Sequence, residues 1–117
     1  MSSKADSLAQ ERADQKRQAM ERRFRSLAEQ WKRETAYLSN VAKKAMHPAY
    51  QGIIGLGEPA VPLILEELQQ DPADWFWALA AITGENPVRE SSAGNIEEMA
   101  DAWLRWGREQ GLTLESK

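Results

Sequence analysis

The chain has 117 residues, a formal net charge of −3 and no cysteine. A chain of this length has room for one modest hydrophobic core, and the lack of thiols excludes disulfides, thiolate metal sites and a cysteine nucleophile. No signal-peptide apolar region occurs in the N-terminal sequence MSSKADSLAQERADQKRQ, and no apolar run approaches the roughly 20 residues of a membrane span. We therefore expect a cytoplasmic, soluble protein that makes no membrane contact.

The charge is divided unevenly along the chain. Residues 1–35 hold nine lysines and arginines against six acidic residues, whereas residues 36–117 hold six against twelve. The acidic body disfavours broad nucleic-acid binding, since phosphate contacts need clustered positive charge. The basic N-terminal part leaves such binding open locally.

The N-terminal segment, residues 1–21, has few large apolar side chains but a composition that favours helix. A helix without a packed face is marginal in water. The sequence therefore predicts a basic, frayed or partly disordered helix or tail at 1–21, which contact with a partner would order. The helical domain is expected over 22–111, and a C-terminal tail over 112–117.

A long amphipathic helix is predicted over about 22–38. Phe24, Leu27 and Trp31 recur at i, i+3 and i+7, which is the spacing of one helix face. This apolar stripe is expected to contact the central part of the chain. Ser39-Asn40 either interrupts the helix or caps a new one.

The central stretch His47–Gly84 holds most of the aliphatic side chains and predicts three short helices. Pro48 fits a first helical turn, because its φ is already near the helical value and the N–H there is unpaired anyway. Gly57 is the expected end of the first helix. Asp71-Pro72 breaks the second helix, and the third is expected to open within 71–74 and to end at Gly84.

Part of this stretch, GLGEPAVPLILEELQQDPADWFWALAAITG, resembles a HEAT repeat. The resemblance lies in the residues that open and continue the second helix, in the acidic turn and in the small residues of the third helix. These residues are Gly57, Pro59, Ala60, Val61, Pro62, Leu63, Leu65, Leu68, Asp71, Pro72, Ala78, Ala80 and Ala81. The resemblance covers about half the chain, and repeat arrays need about three or more units. It implies a HEAT-like helical hairpin inside a small all-α domain, and binding in a broad sense.

The sequence Trp75-Phe76-Trp77 leaves two alternatives open. At about 100° per residue, Trp77 points about 200° away from Trp75, so both cannot face one core. Either the helix is sandwiched, with Trp77 against Trp103 and Trp106, or an aromatic side chain is exposed, as at the centre of partner interfaces. We favour the sandwich, and the same alternatives apply to Trp106. Those two tryptophans belong to a last helix that Asn95 is expected to cap.

No combination of residues predicts catalysis. His47, the only histidine, precedes Pro48 and is expected to act as a cap or turn residue, although a lone histidine is also the commonest general base. Acidic residues such as Glu66 and Glu67 are expected to form solvated faces, because a carboxylate with a raised pKa needs apolar neighbours on its helix face. We expect a protein that is not an enzyme and that has no metal and no cofactor.

The sequence thus favours a non-catalytic protein–protein interaction module or small adaptor that binds a partner protein through helix faces and the N-terminal helix. Self-association into a homo-oligomer stays open. The alternative is a nucleic-acid-associated accessory factor that uses the basic N-terminal helix, although interleaved acidic residues dilute its charge. The expected partner-binding residues are Trp77, Trp106, Arg22, Arg23 and Arg25.

Overall fold

The structure, a computed structural model, describes residues 3–112, with side chains from residue 7 onward. This part of the chain forms six α-helices and contains no strand, so the all-α prediction is confirmed. The predicted tail at 112–117 lies outside the described residues except for Leu112. The helices are α1 (Ser3–Glu34), α2 (Val41–Ala45), α3 (Pro48–Leu56), α4 (Val61–Glu67), α5 (Phe76–Thr83) and α6 (Ile96–Glu109).

Helix α1 begins earlier and ends sooner than the predicted helix over 22–38. It continues without a break through residue 21, and the side chains of residues 7–19 are exposed except for the partly covered Asp14. We call residues 7–19 the arm. The high helix propensity of the arm explains its helical backbone, while its fraying in solution stays a prediction. At the other end, the chain leaves the helix in a turn, in which the Leu38 N–H donates to the Thr35 carbonyl (2.9 Å).

An aromatic cluster joins α1 to the central helices. Trp31 lies 4.9 Å from Tyr50 and 5.0 Å from Trp75 between ring centroids. Phe24 lies 5.9 Å from Trp75, and all four rings are at most 1% exposed. Each such pair contributes about 0.5–1.5 kcal/mol beyond the burial of its area. The predicted contact between the α1 stripe and the central segment is therefore confirmed.

Two asparagines cap helices as the sequence predicts. The Asn40 side chain accepts a hydrogen bond from the N–H of Lys43 (3.0 Å) and caps α2. Asn95 accepts one from the N–H of Glu98 (3.0 Å) and caps α6. Each bond satisfies an N–H that has no partner within its own helix, and such a cap is worth about 1 kcal/mol.

The third central helix opens later than expected. Residues 72–74 form a 3₁₀ turn, before which Asp71 makes no side-chain cap bond, and α5 starts only at Phe76. Gly84 ends α5 with φ = 69°, a left-handed conformation that glycine adopts without strain. The last helix passes Gly107, which is buried within it, and ends before Gly111.

Candidate functional site

An apolar groove of about 560 Å³ lies where the start of α2, the residues around α5, the loop after Gly84 and α6 meet. We call it the Trp77 groove. Its volume is typical of protein clefts that hold a ligand, about 300–1,000 Å³. The apolar side chains that line it include Val41, Phe76, Trp77, Val88, Met99 and Trp103.

Trp77 stands at the wall of this groove with 45% of its surface exposed. The favoured sandwich against Trp103 and Trp106 is therefore wrong, and the exposed alternative is correct. Trp75 occupies the core with 0% exposure, and the helical rotation between the two residues directs Trp77 outward. Trp103 lines the same groove but is itself buried. Helix α6 therefore does not cover the face of α5 that carries Trp77, and an open cleft remains between the two helices.

Further exposed apolar side chains adjoin the groove. Val41, which lines the groove, is 37% exposed. Ile96 is 45% exposed and precedes Met99 by three residues, which places both on one face of α6. Clustered exposed apolar side chains mark interaction sites, whereas isolated ones are normal. The groove and its margin therefore form the strongest candidate binding surface in the described part of the chain.

Trp106, the second aromatic residue expected to bind a partner, lies outside the Trp77 groove. Its ring packs edge-on against Trp103, with centroids 5.4 Å apart and planes at 78°. It is half-buried and lines a smaller cavity with Val61 and Leu112. The structure thus brings Trp103 to the groove, a residue that sequence reasoning treated as core.

The expected basic residues Arg22, Arg23 and Arg25 lie on α1, and none of them lines the groove. The Arg25 guanidinium lies 3.5 Å from a Glu66 carboxylate oxygen and 3.9 Å from one of Glu67. Arg22 and Arg23 are exposed. The candidate basic surface is therefore separate from the apolar groove, and one of its three guanidinium groups faces carboxylates of α4.

Glu67 departs from the solvated face that the sequence predicted for it. It is only 8% exposed, and its carboxylate accepts a hydrogen bond from the Lys32 ammonium (2.9 Å). Two cations of α1, Lys32 and Arg25, thus approach this one acidic side chain of α4. Both cations are about half exposed, so we expect each pair to contribute at most about 1 kcal/mol. This arrangement attaches α1 to α4 and leaves Glu67 with a structural role.

His47 acts as the cap that the sequence predicted. Its Nδ1 accepts a hydrogen bond from the N–H of Ala49 (3.0 Å) at the start of α3. Because Nδ1 accepts, the proton of the neutral ring lies on Nε2, which donates to a Glu34 carboxylate oxygen at 2.8 Å. The imidazole therefore joins the end of α1 to the start of α3.

The Tyr50 hydroxyl is the functional group that sequence reasoning missed. It donates to the Asp74 carbonyl (2.8 Å) and accepts from the N–H of Ala78 (2.9 Å). Burial raises the pKa of Tyr50 well above its ordinary value, and the hydrogen bond from Ala78 opposes part of that shift. The one available signal was the presence of a tyrosine on an otherwise aliphatic face, because a buried phenol needs a polar partner.

Among the side chains that the structure describes, those of residues 7–112, no three acidic or histidine side chains are grouped so that they could hold a metal ion. None of the helices described within residues 3–112 has the length and apolar character to cross a membrane. Comparison of the chain with protein-family models, with curated proteins and with solved structures gave no match.

Proposed function

We propose that this protein is a non-catalytic interaction module that binds a partner protein in the Trp77 groove. The observation that carries this proposal is an indole that is 45% exposed at the wall of an apolar cleft of about 560 Å³. Tryptophan is enriched among the few residues that supply most of the binding free energy of an interface. Removing such a side chain and its apolar surroundings from water would favour association.

The chemistry of the groove supports binding over catalysis. Its polar lining side chains are Asn86, Arg89 and Glu90, which include no hydroxyl, thiol, amine or imidazole group. His47 lies elsewhere, between the Ala49 N–H and the Glu34 carboxylate. The buried Tyr50 hydroxyl is held by two backbone groups. The side chains of His47 and Tyr50 are thus both engaged in contacts within the fold.

Two further features agree with an adaptor. The arm presents an exposed helical surface that a partner can contact, separate from the groove. We also propose that α4 and α5 form a HEAT-like hairpin, a unit that recognises partners through helix faces. A single protein partner that covers both the groove and the arm would account for both features.

The test is a capture experiment with matched surface variants. We expect the wild-type protein to recover a stoichiometric protein partner from its native host. Trp77→Ser should weaken that complex by about tenfold or more, which is about 1.4 kcal/mol, in a titration with the purified partner. Tyr37→Ser is the control, because Tyr37 is 83% exposed and does not line the groove. Equal affinity of both variants, or no stoichiometric partner, would contradict the proposal.

The nucleic-acid alternative depends on Arg22 and Arg23, because Arg25 already faces carboxylates on α4. It requires an affinity for nucleic acid that falls steeply as salt rises and that is lost in the double variant Arg22→Glu/Arg23→Glu. Binding that does not respond to salt would reject this alternative. If Trp77→Ser no longer recovers the partner protein while the double variant Arg22→Glu/Arg23→Glu still does, the groove and not the basic surface is the binding site.

A further inference from the structure

We propose that the Trp77 groove takes the apolar face of a basic amphipathic helix of the partner. This inference rests on the proposed function, and it specifies which chemistry the groove recognises. In such docking, apolar side chains at i, i+3 or i+4 and i+7 of the bound helix enter the cleft. Lysine and arginine residues beside that apolar face would then lie against the margins of the groove.

The form of the groove favours a helix as occupant. The cleft is concave and lies between helical elements, so its occupant has to be convex and apolar. Its aromatic and methionine side chains, Phe76, Trp77, Trp103 and Met99, make an adaptable apolar surface of the kind used to receive helices. A partner segment that binds by adding a strand would need an exposed sheet edge, and the described residues 3–112 contain no strand.

The charge of the surrounding chain favours a basic occupant. The exposed charged side chains of the segments that build the groove are mostly carboxylates, and Asp74 is excluded here because it pairs with Lys44 at 3.3 Å. A margin of this sign attracts cations and speeds the association of a basic partner. The exposed carboxylates are Asp71, Glu85, Glu90, Glu97, Glu98, Asp101 and Glu109, and the exposed cations are Lys43, Arg89, Arg105 and Arg108; of these, Glu90 and Arg89 line the groove itself.

A second copy of this chain is a poorer occupant than another protein. Two concave grooves cannot fill each other, so a second copy would have to insert an exposed element, and the arm is the longest of these. Leu8, 47% exposed, is the one large apolar side chain of the arm. A cleft of about 560 Å³ has room for several such side chains. The groove therefore fits a helix that is richer in apolar anchors than the arm.

Synthetic peptides test the proposal on the full-length protein. One probe is an amphipathic leucine–lysine helix of about 18 residues, or about five turns, and the second has glutamate in place of every lysine. We expect the lysine peptide to bind at least tenfold more tightly in calorimetric titrations, and added salt should reduce the difference. Trp77→Ser should lower the affinity for the lysine peptide at least tenfold, whereas Tyr37→Ser should leave it unchanged.

Charge reversal separates the local margin from the overall charge of the protein. The double variant Glu90→Lys/Glu97→Lys should remove most of the preference for the lysine peptide. Glu58→Lys/Glu109→Lys makes the same change in net charge at exposed residues that lie more than five positions from any residue lining the groove, whereas Glu90 lines it and Glu97 lies two positions from Met99; this control should retain the preference. Circular dichroism of each variant confirms that the fold is kept.

Several outcomes would overturn the inference. Equal binding of the two peptides would show that charge does not select the occupant, and full binding to Trp77→Ser would show that the groove is not the site. Tighter binding of a proline-rich lysine peptide would show that the groove takes an extended segment and not a helix. Dimerisation through the groove would show that its occupant is a second copy of this chain. If the captured native partner enters the groove with an acidic segment, this inference fails while the proposed function stands.

Discussion

The side chain of Tyr50 connects α3 to the 3₁₀ turn at 72–74, to α5 and to α1. Its hydroxyl lies between the Asp74 carbonyl of the 3₁₀ turn and the Ala78 N–H of α5, while its ring lies 4.9 Å from that of Trp31 on α1. Without the hydroxyl, the Ala78 N–H would be buried and unpaired, and the part-buried Asp74 carbonyl would lose this partner. Such groups cost about 1–3 kcal/mol when a partner is removed.

We therefore predict that Tyr50→Phe lowers the free energy of unfolding by about 1–3 kcal/mol near neutral pH, because the ring remains but the two hydrogen bonds are lost. Guanidinium titration measures this value. Tyr37→Phe is the control, since Tyr37 is 83% exposed. Equal stability of Tyr50→Phe and the wild type would contradict the central position assigned to the hydroxyl.

Tyr50 also predicts how stability depends on alkaline pH. Burial raises its pKa in the folded state, so above about pH 10 the unfolded chain loses the phenolic proton while the folded chain keeps it. The free energy of unfolding should then fall as pH rises, by up to about 1.4 kcal/mol per pH unit from this one group. Unfolding titrations between neutral and alkaline pH should show a smaller fall for Tyr50→Phe, and an identical slope would contradict the assignment.

Single residues also show where sequence reasoning reaches its limit. The buried face that carries Tyr50 follows from helical spacing, but its partners lie 24 and 28 residues further along the chain. Helix geometry showed that Trp77 points away from the core face of Trp75, which left it either packed against the last helix or exposed. Only the position of α6 in the fold decides between these alternatives. Glu67 appeared solvated because the Lys32 ammonium that covers it comes from a residue 35 positions earlier.

At the scale of elements, local signals located helix ends well where a side chain or a glycine fixes the boundary. His47, Asn95 and Gly84 act at the positions that the sequence indicates. The start of α5 was misplaced because several residues before it are competent to open a helix, and the chain instead makes a 3₁₀ turn at 72–74. The sequence left residues 1–21 open as a frayed helix or a tail, and the continuity of α1 through residue 21 was not predicted because the apolar stripe begins only after that residue.

Helix α3 contains a glycine whose cost can be tested directly. A Cβ built at Gly55 would meet no atom within 4 Å, and Gly55 lies in the last turn of the helix with no positive φ. Gly55→Ala should therefore raise the free energy of unfolding by up to about 0.5 kcal/mol, because alanine loses less backbone entropy in a helix. Gly57→Ala is the matched contrast and should destabilise the fold, since Gly57 has φ = 78°. Denaturant titration of both variants checks the two signs, and a loss of stability in Gly55→Ala would contradict the geometry of α3.

At the scale of the whole molecule, the core is formed by the second half of α1 together with the helices that follow it. Periodicity predicted this all-α arrangement, because each stripe needs another apolar face to cover it. The site was less predictable. The groove arises from the way the loop after Gly84 and α6 lie against α5, and no local pattern specifies that placement.

The arm should contribute little to global stability. Its side chains are almost all exposed, so we expect deletion of residues 1–18 to change the free energy of unfolding by less than about 0.5 kcal/mol. In hydrogen-exchange measurements on the intact protein, amides of the arm should exchange much faster than those around Phe24 and Trp31. Amide protection in the arm equal to that in the core would show that the arm is packed. A large loss of stability on deletion of residues 1–18 would show the same.

The length of α1 has a consequence for how many molecules the protein can hold. The helix has 32 residues, about 48 Å at 1.5 Å per residue, in a molecule that measures 54 × 31 × 23 Å. The arm lies toward its first residues, whereas Val41, on the groove wall, follows its last turn. Two bound molecules can therefore sit at opposite ends without touching. If the proposed adaptor holds one molecule at the arm and another at the groove, the length of α1 would set the distance between them.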